Sequence, residues 1–306
     1  MASKYYPEVP IGGVEEGLFY VIHGLALTCI TASLTCAVIV LVLSFKRGNY
    51  KTFFTKWSRC DRFIVYLAIC DGMFNFSHLM DHIHMIITEE HVWPAELCSF
   101  YAFMLFEFVS AQCILVVVIA VNAFALIRFR KSLPLGKRDW ILLTLTFGVA
   151  FVLCVIAAGL GQMGPTGTYC GIYNKIASIF FTVIPQVSVL VSNSVLYFLT
   201  WYHIRKETKR VQDSLGNKVK DSKAQEAGKT MTLFVAVFFI QYWGVTIAGF
   251  WNLFADVPIA LDMAVVSFAN LGGVLNGIVF IIINRSKKKK QTTKRKEIST
   301  VETNES

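Results

Sequence analysis

LFYVIHGLALTCITASLTCAVIVLVLSFKRGNYKTFFTKWSRCDR, residues 18–62, decides the fold. Its first part, 18–45, holds no Lys, Arg, Asp or Glu and is long enough to cross a bilayer, which takes about 20 apolar residues. Its second part gathers Lys46, Arg47, Lys51, Lys56, Arg59 and Arg62 in the connection that follows. An apolar run trailed by a basic cluster reads as a membrane span whose next loop stays in the cytoplasm.

The pattern repeats along all 306 residues, which are 55% hydrophobic with mean hydropathy +0.56. Further apolar runs lie near 63–87, 99–127, 140–161, 173–202, 230–254 and 259–283. Inside lipid a segment must satisfy its own backbone polar groups, so each run reads as a helix. All but Lys4 and Lys175 of the 29 Lys and Arg residues fall after spans one, three, five and seven. The other connections are acidic or neutral, with Glu89, Glu90 and Glu96 in one and Asp256 and Asp262 around another. The expected fold is an all-α membrane protein, a seven-transmembrane helix bundle with its N-terminus outside and its C-terminus inside. Residues 1–17 form a short extracellular N-terminus without a cleavable leader, 18–284 the transmembrane domain, and 285–306 a basic disordered cytoplasmic tail. The net charge of +9 does not point to nucleic acid, because the cations flank spans where anionic membrane lipids attract them.

Of the eight cysteines only Cys98 and Cys170 fall at the outer face, where oxidation is permitted. Two outer cysteines allow one pairing, so a Cys98–Cys170 disulfide is expected, with two free thiols as the alternative.

Charged side chains are costly in lipid and turn toward protein or water. Asp71, Asn75, His78 and His82 share one face of the second helix, with Asp81 beside it. Deep in the membrane, Asp71 is expected to join Gln112 and Asn276 in a polar network. Nearer the outside, His78, Asp81 and His82 are expected to line a ligand pocket. The structural alternative is that these groups only join helices by hydrogen bonds, each worth about 0.6 kcal/mol. The histidines also admit zinc ligation or proton sensing. A zinc site needs three or four converging ligands, of which His78 and His82 would supply two and Asp81 a third, and no metal is expected. Glu107 is left facing helix two, helix four or a polar ligand. No His/Glu/Asp set joins metal-ligand spacing to a nucleophile, so an enzyme is not expected.

Several short motifs occur in order on successive helices. They are Leu67-Ala68-Ile69-Cys70-Asp71, Cys98 at the start of helix three, Pro185, Phe239 with Trp243, and Asn276-Gly277-Ile278-Val279-Phe280. The chain resembles the G-protein-coupled receptors, as a divergent rhodopsin-like or cAMP-receptor-like member. It departs from the family where D-R-Y falls on Asn122-Ala123-Phe124, and helix six has Val245 in place of its usual proline. The resemblance implies a plasma-membrane receptor for an extracellular, small ligand. Its pocket would use Leu105, where amine receptors keep an aspartate, Trp243 at the floor, and Asn270 on helix seven. A heterotrimeric G protein would dock among Asn122, Ala123, Phe124, Arg128 and Lys229 when helix six swings out. Arrestin and receptor kinases are further implied partners, through the hydroxyls of the tail. No cofactor is expected, because helix seven has no lysine for a retinal Schiff base between Ile259 and Ile283. The rival reading is a seven-helix solute transporter, although spans 1–3 and 5–7 show no repeat.

Overall fold

The computed structural model describes residues 9–215, 223–255 and 257–304, excepting the side chains of 207–215, 223–231, 288–291 and 293–304. Among the described residues, six helices are long and apolar enough to cross a membrane. These lie in α1 (Phe19–Arg47), α2 (Arg59–Thr88), α3 (Ala95–Phe129), α4 (Lys137–Gly159), α5 (Lys175–Lys206, backbone helical to Leu215) and α6 (Lys223–Trp251). Two more, α7 (Ile259–Ala269) and α8 (Gly272–Asn304), pass the same test as a pair bent by 42°. Counted as one span, the pair brings the total to seven.

Each helix buries one stripe and leaves apolar side chains outside it. On α1 the buried residues Ile22, Ala26, Ile30, Ser33, Ala37, Val40 and Ser44 step by three or four, as one helix face requires. Val38, Ile39 and Val42 on the other side are exposed, as are Phe151, Val152 and Val155 of α4. Water tolerates no such continuous apolar girdle, whereas lipid acyl chains do. In its most apolar window α2 is 67% buried and α5 only 17%, so α2 is central and α5 peripheral. α1 packs on α2 and on α7–α8, while α3 sits among α2, α4, α5 and α6. Ser58 caps α2, accepting the Asp61 N–H at 3.2 Å and donating to its carboxylate at 2.6 Å. In α5 a wider π-type turn, Ile179–Val183, precedes Pro185, whose ring cannot fit an ordinary helical turn behind it.

Just past the bend, α8 comes close to α1. A side chain on Gly273 would begin 2.3 Å from the Ser33 carbonyl oxygen, so only glycine lets α8 approach α1 here. The Gly273 N–H donates to Ser33 Oγ at 2.7 Å.

At the basic end, Arg62 holds Asp139 through two bonds of 2.6 and 3.0 Å, and Tyr66 donates to the same carboxylate at 2.9 Å. This buried, bidentate pair ties the start of α2 to the start of α4. At the other end a two-stranded hairpin, β1 (Met163–Pro165) with β2 (Cys170–Ile172), lies across the bundle, and Cys98 and Cys170 form a disulfide.

The backbone of 285–304 continues α8 as helix, because no Pro or Gly follows Gly277 and the segment is rich in helix-forming Lys, Gln, Arg and Glu. The Lys229 side chain lies outside the described residues.

Candidate functional site

Two linked features fill the bundle. One is a cavity of about 130 Å³ beneath the hairpin, walled by α2, α3, α5, α6 and α7. The hairpin roof is pinned at several points. The Cys170 N–H donates to Asp81 Oδ2 at 2.7 Å, Ser99 donates to the Met163 carbonyl at 3.2 Å, and Gly12 N–H reaches the Gly167 carbonyl at 3.0 Å. Of the residues expected to line a pocket, His78, Leu105 and Asn270 line this one.

Asp81, His82 and Trp243 do not line it. Asp81 turns its Oδ2 to the roof strand. His82 turns toward α1, where its Nδ1 lies 2.7 Å from Nδ1 of His23. One of these two nitrogens carries the shared proton, and the contact clamps α1 to α2. Trp243 lies outside the core, 40% exposed and stacked edge-on against Phe268 at 5.5 Å. Its place at the cavity belongs to Tyr242, 2% exposed and packed on Phe238 at 4.8 Å. One residue on a helix is a rotation of about 100°. The inward aromatic pair is therefore Phe238 and Tyr242, not Phe239 and Trp243.

The second feature is a polar network directly below. Asp71 accepts from Gln112 Nε2 at 3.0 Å and from Asn276 Nδ2 at 2.7 Å. The structure thus brings together all three residues expected there, and adds two. Tyr242 donates to Gln112 Oε1 at 2.8 Å, and Gln241 donates to the Ala269 carbonyl at 3.0 Å and to Tyr242 at 3.2 Å. Asn75 extends the net to Ser33 at 3.3 Å. Gly272 is part of the fit, since a side chain on it would begin 2.4 Å from both Asp71 and Gln241. The network links α2, α3, α6 and α8, and Tyr242 belongs to it and to the cavity wall alike. Glu107 resolves to α4, with the Cys154 thiol as its partner. No cluster of three or more His, Cys, Asp or Glu suited to a metal ion occurs among the described residues.

Outside the spans, burial and then the Asp262 and Asp81 carboxylates push the Tyr169 phenol up to about 12. Tyr169 is therefore neutral where it lines the cavity. Burial lowers His91, opposed by its bond to the Val9 carbonyl and by the Glu90 carboxylate.

At the basic end, Asn122 and Ala123 present no docking surface in this conformation, for both are buried. Asn122 Oδ1 accepts from the Leu133 N–H at 3.1 Å and from Arg59 at 3.4 Å, and Arg59 also donates to the Leu133 carbonyl at 2.6 Å. Phe124 is partly buried near His203 and Phe129, and Arg128 is exposed over the Phe129 ring. The sequence reading missed Arg59, although its place in the first basic cluster was visible.

Compared with protein-family models and with curated protein sequences, the chain matches none. What it does has to be read from the cavity and the network.

Proposed function

We propose that the chain is a seven-helix receptor that passes the occupancy of an outer cavity to a cytoplasmic G protein. The observation that supports this best is Tyr242. Its ring walls the cavity and its hydroxyl holds Gln112, which in turn holds Asp71. A ligand that shifts Tyr242 alters the hydrogen bonds joining α6 to α2, α3 and α8, and so biases one packing of the bundle against another. The charge pattern supports an outer N-terminus and an inner C-terminus, with the cavity facing out and the Arg59–Asn122 contact facing in. In this packing the Arg59–Asn122 contact stands at the end of α3, where the family it resembles carries D-R-Y. Release of α6 would open the basic end to the partner, and the plasma membrane is the place for such a protein.

One observation favours a transporter. The break between α7 and α8 puts Asn270 at the cavity, and discontinuous helices line many transport sites. The two readings part in transfected cells. A receptor shifts second-messenger output on expression, without added ligand, and Tyr242→Phe or Asp71→Asn changes that output at equal surface level. Solute uptake with no change in messenger contradicts the receptor and supports the transporter.

A further inference from the structure

The cavity's chemistry names a ligand class. Among the described residues, no Lys, Arg, Asp or Glu lines it, and half of the lining residues are Val, Leu, Ala or Phe. A charged ligand group placed there would lie desolvated with no charged side chain on the cavity wall to pair with it. An apolar cavity of about 150 Å³ holds one benzene ring, so about 130 Å³ takes a ligand of similar size.

Two buried polar atoms on residues that line it have no partner, His78 Nε2 and Gln186 Nε2, the residues being 5% and 4% exposed. Their roles follow from their neighbours. Asn270 uses its Nδ2 to donate to the Val266 carbonyl at 2.7 Å, so its Oδ1 can only accept from His78 Nδ1, 2.8 Å away. His78 is then the Nδ1–H tautomer, and its Nε2 is a bare acceptor. Gln186 accepts the Cys113 thiol at Oε1, 3.5 Å away, which leaves its Nε2 as a donor. A buried polar atom without a partner is costly, and a ligand that supplies the partner recovers that cost.

We infer that the cavity binds a compact neutral molecule, about the size of a single aromatic ring, with a hydroxyl or N–H donor for His78 and an oxygen acceptor for Gln186. Amines, carboxylates, nucleotides and peptides with charged ends are thereby excluded. The inference rests on the receptor reading only for the meaning of occupancy, and binding to the purified chain is independent of coupling.

The test uses the full chain in nanodiscs, with thermal unfolding read against added 4-methoxyphenol. Anisole lacks the donor, p-cresol lacks the acceptor, and tyramine and 4-methoxybenzoate carry charge. Any ligand that binds only the folded state raises the midpoint with concentration. The expected order is 4-methoxyphenol first, with anisole and p-cresol each about tenfold weaker, as loss of one buried hydrogen bond implies, and the charged pair without effect. His78→Phe should remove the advantage over anisole, Gln186→Leu the advantage over p-cresol, and Val245→Phe, which fills the cavity, all stabilisation. Stabilisation by tyramine or 4-methoxybenzoate equal to that by 4-methoxyphenol overturns the inference. So does stabilisation by no neutral probe, or an order that His78→Phe and Gln186→Leu leave unchanged. A chain that binds as expected yet moves no second messenger keeps the ligand class and loses the receptor.

Discussion

Replacing Cys98 with Ser, or Cys170 with Ser, removes most of the folded protein from the membrane, by the same amount in each case. The double replacement is no worse than either single one. The reason is where the bond lies. It fastens the start of α3 to β2, and β2 roofs the cavity and holds Asp81. Loss of a native disulfide costs roughly 2–5 kcal/mol, a large share of the stability of any domain. The other polar roof contacts are single hydrogen bonds of about 1 kcal/mol each. Quantitative surface labelling of the three variants checks the result. Unequal single effects, or an additive double variant, would mean that the two thiols act apart.

Gly273→Val is expected to be nearly as damaging, for a reason of shape. The added Cβ meets the Ser33 backbone at 2.3 Å and leaves no flexible atom to move aside. Overpacking of a tight core costs about 1–3 kcal/mol, and a clash against backbone lies at the upper end. The damage spreads beyond the seam, because α8 carries Asn276 to Asp71. Gly24→Ala is the control, since nothing lies within 4 Å of the added carbon. Thermal unfolding of the purified variants measures the difference. A Gly273→Val protein as stable as Gly24→Ala would show that α1 and α8 do not meet as described.

The residues that made the fold legible are the apolar runs and their charged borders. Spans expected at 18–45 and 63–87 appear as Phe19–Arg47 and Arg59–Thr88, because bilayer-length apolar runs admit no other regular structure. The polar network was legible for a related reason. Asp71, Gln112 and Asn276 are costly in lipid and must turn inward, and few inward positions exist. The aromatic at the cavity was not legible. α6 is apolar around most of its circumference, and Gln241 alone hinted at which of Phe239 and Trp243 or Phe238 and Tyr242 faces the core. Placing Trp243 by motif alone turned the helix by one residue. The same limit hid the His23–His82 contact, since a pairing between helices leaves no periodic trace in either. The break at Ala269–Gly272 was concealed by continuous hydrophobicity on both sides, although Gly272-Gly273 was there to be weighed.

Every functional statement rests on the direction in which the chain crosses the membrane. Epitope tags at the two ends, stained on intact and on permeabilised cells, test it most directly. The account predicts that the N-terminal tag stains on intact cells and the C-terminal tag only after permeabilisation. Both tags reachable on intact cells, or neither, would contradict it.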